Sequence, residues 1–414
     1  MQPGALLACR NCDTIHAAAV IEPGGMATCS CCGYVLLRRS RFSLRFWHAF
    51  TLTALVVFLI ANLFPLARLS MLGKSLDATF VGALWLTWQQ GHHALSIMTG
   101  LTGFWFPLTQ ICFLFWALGC LRKGRLPPDF ALAMRIYHLA LPWSMVPVLM
   151  LGIIVAIVKF SDLAALIPGA GLWAFGVLTF MLTALSRLDS RRLWHYAEDA
   201  GLAPATRSTT RAPEDLTGCE VCGHVQEVVP QADETCERCG SLLHKRKPDM
   251  GARVWALLIA ATAAYIPANV LPMMEIRSTM GASAHTILGG VIELWQLGSW
   301  DLAVIVFVAS VVVPITKLIA LAVLMLGRRW RGWRVQRQRT RLYEMLEFIG
   351  QWSMLDVFVV ILMTAMANFP GLSQIIAGPA AASFGLVVVL TMLAAMSYDP
   401  RIGWDRGRRA ASEH

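Results

Sequence analysis

The sequence predicts a polytopic α-helical membrane protein with eight transmembrane helices, arranged as two tandem four-helix modules, each preceded by a four-cysteine zinc ribbon. Three observations lead to this prediction. The 414 residues are 57% hydrophobic and only 14% charged, which is too apolar for a soluble domain of this length. Apolar stretches of about 20 residues recur along the chain. Cysteine, proline and tryptophan motifs of the first half return in the second half at offsets of 207 to 210 residues.

The apolar stretches define the predicted spans. They lie at about 46–66, 95–121, 137–159 and 163–185 in the first half, and at about 253–273, 301–326, 346–367 and 374–396 in the second. The loop after the first span of the second half is expected to hold a short strand from Met273 to Arg277. An interfacial helix is expected around Val291 to Trp295.

These spans divide the chain into four predicted segments. They are zinc ribbon 1 at 1–40, transmembrane module 1 at 41–195, a polar linker with zinc ribbon 2 at 196–250, and transmembrane module 2 with a basic tail at 251–414. The first 45 residues contain a basic run but no apolar stretch, so no cleavable signal peptide is predicted.

Basic residues predict the orientation of the spans. Of the 35 Lys and Arg residues, 26 fall in six clusters on one side of the predicted membrane, while the opposite loops hold only Arg68, Lys74, Arg277 and the helix-end Lys159. This asymmetry places both termini and the central segment in the cytoplasm. The densest run, from Arg328 to Arg341, is interpreted as an orienting loop that binds lipid headgroups rather than as a nucleic-acid site.

The repeat consists of motifs that recur in one order. The matching pairs are Asn62-Leu-Phe-Pro65 with Asn269-Val-Leu-Pro272, Pro107 with Pro314, Trp143-Ser-Met145 with Trp352-Ser-Met354, and Asp189-x-Arg191-x-x-Trp194 with Asp399-x-Arg401-x-x-Trp404. Because each copy contains four predicted spans, both copies have the same orientation, unlike the inverted repeats of many transporters.

Eight of the 11 cysteines form two metal-ligand patterns of paired C-x-x-C motifs: Cys9, Cys12, Cys29 and Cys32 in the first, and Cys219, Cys222, Cys236 and Cys239 in the second. Four thiolates suit tetrahedral zinc, and a closed site of this kind folds a segment too small to have its own core. An iron site that transfers one electron has the same ligand geometry and remains an alternative. Cys31 could substitute for Cys29, although the spacing favours Cys29.

A polar group in the second module indicates a working site inside the bilayer. Lys317 lies midway along a run that is otherwise apolar from Ala303 to Leu326, and it needs a partner or a hydrated cavity. Asp356 is the predicted counter-ion. Ser310 lies on the same helical face as Lys317, and Pro314 between them can open the backbone locally. Thr391 in the last span is expected to complete the cluster.

The first module has no such ionisable pair, because Gln110 and Pro147 occupy the positions of Lys317 and Asp356. The second module is therefore predicted to hold the site and the first to act as a scaffold or partner surface. The alternative is a buried ion pair that only fixes helix packing. The sequence contains no nucleotide-binding loop, Ser/His/Asp set or paired catalytic carboxylates, so we expect neither an enzyme nor ATP as the energy source.

The four-cysteine ribbons, the Asn-x-x-Pro end of the first span, the Trp-Ser-Met-x-Asp-Val-Phe358 motif and the Asp-Pro-Arg-x-x-Trp exit at Asp399 resemble the paraquat-inducible protein A family over nearly the whole chain. The resemblance implies a multi-pass inner-membrane protein of a Gram-negative bacterium. It also implies that each four-helix module has a tetraspanin-like fold. The expected partner has MCE domains, whose rings form a lipid tunnel across the periplasm, and a polar pocket is expected at Ser310, Lys317, Asp356 and Thr391.

Three functions remain as hypotheses. The first is a transporter-like subunit that moves phospholipid between the inner membrane and the periplasmic tunnel, with Lys317 and Asp356 binding the headgroup or coupling to the proton gradient. The second is a membrane redox protein with two iron sites. The third is an anchor that only holds the tunnel partner. Nucleic acid is not an expected partner.

Overall fold

The computed structural model describes residues 6–17, 21–22, 24–71, 74–161, 165–204, 216–228, 234–278, 281–296, 298, 300–327, 333–366 and 373–405. Three parts of the sequence predictions lie outside these residues. They are residues 328–332 and 406–409 of the basic clusters, and residues 205–215 of the linker.

The described residues of the first half form a small ribbon of two hairpins, eight α-helices and a three-stranded sheet. The ribbon strands are β1 (Leu6–Ala8), β2 (Ile15–Ala17), β3 (Met26–Thr28) and β4 (Val35–Arg38). The helices are α1 (Leu44–Leu63), α2 (Phe80–Gln89), α3 (His93–Gly100), α4 (Phe106–Arg122), α5 (Phe130–Ala140), α6 (Val146–Ser161), α7 (Ala170–Leu185) and α8 (Ser190–Asp199). The sheet contains β5 (Ala67–Met71), β6 (Lys74–Ala78) and β7 (Ala165–Pro168).

The second half repeats this order. Its ribbon has β8 (Leu216–Gly218), β9 (Val225–Glu227), β10 (Glu234–Thr235) and β11 (Leu242–Leu243). Its helices are α9 (Met250–Val270), α10 (Ile287–Gln296), α11 (Trp300–Phe307), α12 (Val313–Leu326), α13 (Trp333–Gly350), α14 (Leu355–Met366) and α15 (Pro379–Ser397), and its sheet contains β12 (Met274–Ser278), β13 (Gly281–His285) and β14 (Ser373–Ala377). Strand β12 and helix α10 confirm the two elements predicted for this loop.

Seven helical stretches in the described residues are long and apolar enough to cross a membrane, or eight if α7 and α8, which meet at 57°, form one span. Several predicted boundaries are wrong. The fourth spans were expected from 163 and 374, but those positions precede or lie in strands, and helices α7 and α15 begin later. Helix α13 starts at Trp333, so much of the run expected to be an orienting loop is helical. Apolar composition alone does not separate a buried strand from a span.

Each three-stranded sheet is closed by the strand that enters the last span. The orders are β6-β5-β7 and β13-β12-β14, and all pairs are antiparallel. The Asn-x-x-Pro motif ends α1 and α9. Its proline carbonyl then accepts a hydrogen bond from the start of the last helix, from Gly171 to Pro65 at 3.0 Å and from Ala380 to Pro272 at 3.2 Å. The motif is thus a helix stop that also caps another helix.

The halves meet through equivalent helices. Helix α6 of the first half packs against α14 of the second, where a methyl group added at Gly152 would lie 3.0 Å from Cβ of Phe358. Both helices follow a short 3-10 turn, Leu141–Trp143 before α6 and Gln351–Met354 before α14. The third predicted span of each half is therefore a broken helix rather than a continuous one.

The ribbons are exchanged between the halves: ribbon 1, which precedes the first half, docks on the second half, and ribbon 2, which precedes the second half, docks on the first. Ribbon 1 contacts the second half: Asn11 donates to Glu344 at 2.6 Å, and Trp404 packs against its four cysteines. Ribbon 2 contacts the first half: Ser190 donates to the Val221 carbonyl at 2.7 Å, and Arg135 donates to that of Gly240 at 3.0 Å. This exchange interlocks the two halves on the ribbon side.

Candidate functional site

The structure brings each set of four cysteines to one point. All four sulfurs of each set lie within 4.8 Å of one another. The closest pairs are 3.5 Å apart in the first set, between Cys9 and Cys32, and 3.5 Å in the second, between Cys222 and Cys236. A tetrahedral ion with metal–sulfur bonds of about 2.3 Å requires sulfur separations of about 3.8 Å, so the donors fit zinc. They fit iron equally well.

Tight turns present these sulfurs. In each C-x-x-C pair, the residue after the second cysteine donates its backbone N–H to the carbonyl of the first and has a positive φ. Gly33, Gly223 and Gly240 fill three of these positions as predicted, with φ of 83°, 75° and 63°, and Asp13 fills the fourth with 60°. Cys31 is not in the cluster, whereas His16 Nε2 lies 3.2 Å from Cys29 Sγ.

Lys317 is buried, with 2% of its surface exposed, and its ammonium contacts neutral oxygen atoms. Nζ donates to the Gly350 carbonyl at 3.2 Å and to Ser353 Oγ at 2.9 Å. Gly350 ends helix α13, where carbonyls lack partners within the helix and the helix dipole favours a cation. The break between α13 and α14 therefore supplies the environment that the lysine needs.

Asp356 lies on the other side of the same break. It occupies the first turn of α14, where the helix dipole favours an anion. The predicted ion pair is not formed: among the described residues Lys317 has no carboxylate within 4.0 Å. Lys317 and Asp356 thus face the two ends of the helix break.

Ser310 and Thr391 are buried, but each bonds to its own helix. Ser310 donates to the Val306 carbonyl at 2.6 Å and Thr391 to that of Val388 at 3.0 Å. Ser310 lies in a π-helical turn, Val308–Val312, which runs directly into α12, where Pro314 is the second residue. This turn confirms the predicted local opening of the backbone. The structure shows no hydrogen bond that joins the four predicted pocket residues to one another within its described part.

Sequence reasoning missed a large cavity between the two halves. It has a volume of about 1080 Å³ and extends from the ribbons to Lys317 and Gln110. Gln110, at the position equivalent to Lys317, is 2% exposed and also follows a π-helical turn, Leu101–Trp105. The sequence signal for Gln110 is a polar residue in an apolar span, and this signal is weaker than that of Lys317 because a neutral amide costs less to bury than a charge.

Charged residues hold the ribbons over this cavity. Arg401 pairs with Asp399 at 2.9 Å and with Glu220 of ribbon 2 at 3.0 Å. Partial burial raises the pKa of Glu220, but Arg401, Lys247 and neighbouring arginines outweigh this and leave the pKa below its usual range. Arg246 pairs with Asp13 of ribbon 1 at 2.7 Å and with Asp405 at 2.5 Å.

Apolar helices of membrane-spanning length, some of them broken beside buried polar groups, are typical of a helical membrane protein, and the described residues add two four-cysteine clusters. A family model with the description "Paraquat-inducible protein A" matches residues 44–198 and again residues 252–407. The chain belongs to this family. The double match corresponds to the repeat seen in the sequence.

Two relatives come from Escherichia coli (strain K12). The chain is 30% identical to "Intermembrane transport protein PqiA" over 98% of this chain and 96% of the relative. It is 31% identical to "Lipophilic envelope-spanning tunnel protein A" over 96% of this chain and 90% of the relative. A "Probable intermembrane transport protein" of Haemophilus influenzae is 28% identical over 97% of this chain. No solved structure matched the chain.

Proposed function

We propose that this protein is an inner-membrane transport subunit that moves phospholipids between the inner membrane and a periplasm-spanning tunnel formed by an MCE-domain partner. The names of its relatives, which refer to intermembrane transport and to an envelope-spanning tunnel, support this class of function. The asymmetric distribution of Lys and Arg supports cytoplasmic ribbons and termini. The ribbons would hold one zinc ion each and provide structure rather than chemistry.

The observation that carries the proposal is the environment of Lys317. A buried ammonium with two neutral oxygen partners, beside a broken helix, is costly to maintain unless it has a role. Helix breaks at the bilayer midplane form the substrate and ion sites of many transporters because their termini interact with charged groups. In the proposed mechanism, Lys317 binds an anionic headgroup, or Lys317 and Asp356 change protonation as lipid moves.

The test compares two variants of the second half in a bacterial strain whose envelope integrity depends on this chain. Lys317→Met removes the ammonium but keeps a side chain of similar length. Thr262→Val is the matched control, because Thr262 is a polar group of α9 whose hydrogen bond among the described residues goes to its own helix, at the Leu258 carbonyl. We expect Lys317→Met to lose envelope integrity and Thr262→Val to retain it, at equal levels of folded protein in the membrane.

Normal envelope integrity in the Lys317→Met strain would overturn the proposal that this site carries transport. A parallel loss in both variants would show that the assay reports general damage to the spans. The anchor hypothesis predicts that Lys317→Met is harmless, so the same experiment separates it from transport.

A further inference from the structure

The cavity between the two halves has the size and lining of a ligand site. Its volume of about 1080 Å³ is slightly above the roughly 300–1,000 Å³ that is usual for small-molecule sites. Both halves contribute walls. Leu182 of α7 lines one side, and Met392 of α15 and Leu346 of α13 line the other. The space is therefore shared and does not belong to the second half alone.

The inner end of the cavity carries polar groups that lack full partners. No described residue hydrogen-bonds to the amide of Gln110, although only 2% of the surface of this residue is exposed. The ammonium of Lys317 has three N–H donors, of which two are used. Buried polar groups are almost always satisfied in native proteins, so water or a ligand must complete this pair.

One edge of the cavity is apolar, exposed and formed by residues of the predicted spans; we call it the membrane-facing edge. Leu139 of α5 and Phe348 of α13, one from each half, line the cavity and yet are 65% and 67% exposed. An apolar chain bound between the halves can leave the cavity at this edge without meeting water. At the ribbon end, Arg38 and Arg192 have no carboxylate within 4.0 Å among the described residues, so this mouth attracts anions.

We infer that the space between the halves binds an anionic, phosphate-bearing amphiphile, whose anionic group is recognised at the inner end by Lys317 and Gln110 together. The inference rests on the proposed transport function and adds a residue of the first half to its site. Free phosphate shares the anion chemistry, but it leaves the apolar walls and the membrane-facing edge without a ligand. The first half is then part of the site rather than a scaffold.

Photocrosslinking in cells tests this inference. A photoreactive residue replaces Leu182 in one strain and Met392 in another, and adducts with labelled phospholipid are measured. Phe180 is the matched control position, because it lies on the same helix as Leu182 and is 80% exposed. We expect adducts from both walls. Their yield should fall about tenfold or more in Lys317→Met and about threefold or more in Gln110→Leu, while the Phe180 adduct stays constant.

Four results would overturn the inference. An adduct at Met392 that Gln110→Leu leaves unchanged would confine the site to the second half. Absence of adducts at both walls in folded protein would show that no lipid enters. Adducts that Lys317→Met does not weaken would remove the inner-end recognition. Suppression of the adducts by excess inorganic phosphate in isolated membranes would assign the anion site to free phosphate.

Failure of the inference is distinguishable from failure of the proposed function. If Lys317→Met abolishes envelope integrity while the wall adducts are unchanged, transport stands and the shared cavity does not. If envelope integrity is normal while both adducts fall, lipid binds between the halves without being transported.

Discussion

In both halves, the last apolar helix begins beside the proline that ends the first one, at Gly169 against Pro65 and at Gly378 against Pro272. Both halves also form the same three-stranded sheet and the same π-helical turn before a proline. These shared features are set by the backbone. We call this set of shared features, namely the glycine–proline contact, the sheet and the π-helical turn, the frame. Its recurrence at equivalent positions shows that the two copies share one backbone arrangement although most of their side chains differ.

The halves differ where the frame meets the cavity. The second half has Lys317 and Asp356, and the first has Gln110 and Pro147. A second difference concerns the ribbons: the cysteines of ribbon 2 belong to the main hydrophobic core, while those of ribbon 1 form a small separate cluster with Trp404. Substitutions in the frame should therefore affect both halves alike, and substitutions at the cavity or the ribbons should not.

The largest expected effect comes from the frame. A methyl group at Gly169 or Gly378 would lie far inside van der Waals contact with the carbonyl of Pro65 or Pro272. We expect Gly169→Ala and Gly378→Ala each to cost about 3 kcal/mol or more and to reduce the amount of folded protein. Thermal unfolding and size-exclusion profiles of the purified protein measure this. Gly176→Ala is the control, because its nearest neighbour, Met150, is at an ordinary 3.7 Å.

A marked difference between Gly169→Ala and Gly378→Ala would contradict the equivalence of the two frames. It would show that one half tolerates an added methyl group at this contact better than the other half does.

The next largest effect concerns metal. Cys12→Ser and Cys222→Ser should each reduce the bound metal from two ions per chain to one, since each removes one of four thiolates from one site. Elemental analysis of the purified protein measures this and identifies zinc or iron. We expect Cys222→Ser to lower the thermal midpoint more, because ribbon 2 is part of the main core. Cys112→Ser, outside both clusters, is the control.

Iron at either site would revive the redox hypothesis. Equal destabilisation by the two variants would show that core membership does not decide how strongly a ribbon supports the fold.

Much of the frame was predictable from the sequence, because cysteine spacing and apolar length report local structure. The ribbon turns at Gly33, Gly223 and Gly240 follow from backbone geometry, and strand β12 follows from alternation. The strands β7 and β14 were not predictable from the sequence. A short apolar strand that runs into an apolar helix has the same amino-acid composition as the helix and cannot be told apart from it. Their pairing with β5 and β12 depends on contacts about 100 residues apart.

The site was predictable only in part. Lys317 and Asp356 are conspicuous as charges in apolar spans. Their pairing was predicted because both lie in neighbouring spans, but the sequence does not show which way each side chain points at a helix break. The partners of Lys317 are a backbone carbonyl and a serine, and a carbonyl has no signature in a sequence. The cavity and the exchange of ribbons between halves are likewise properties of packing.

A more local effect, confined to the ribbon side, separates the two copies of the Asp-x-Arg-x-x-Trp motif. Arg401 is buried and pairs with the buried Asp399, whereas Arg191 is half-buried and donates to the carbonyls of Cys219 and Glu220. Arg401→Met leaves a buried carboxylate without its cation and should cost about 3–5 kcal/mol in local stability on the ribbon side. Arg191→Met should cost about 1–2 kcal/mol. Limited proteolysis of the ribbons, followed over a denaturant series, measures both.

The double variant Arg401→Met with Asp399→Asn is the control, and it should recover part of the loss because the uncompensated charge is gone. Equal costs for Arg401→Met and Arg191→Met would show that the ion pair contributes no more than the carbonyl contacts.

The smallest effect on stability is expected at the inner end of the cavity, where the effect on function is largest. Replacing Lys317 with Met removes the cost of placing a charge in the membrane, about 2.5–3.5 kcal/mol. It also removes the hydrogen bonds to the Gly350 carbonyl and Ser353, which costs about 1–3 kcal/mol. The two nearly cancel, so the thermal midpoint should barely move. Gln110→Leu should raise stability by about 1 kcal/mol, because it removes a buried amide without a described partner. Thermal unfolding of both variants beside the wild type measures this. A strong destabilisation by Lys317→Met would mean that the lysine holds the broken helix together, and loss of transport in that variant would then report a structural role.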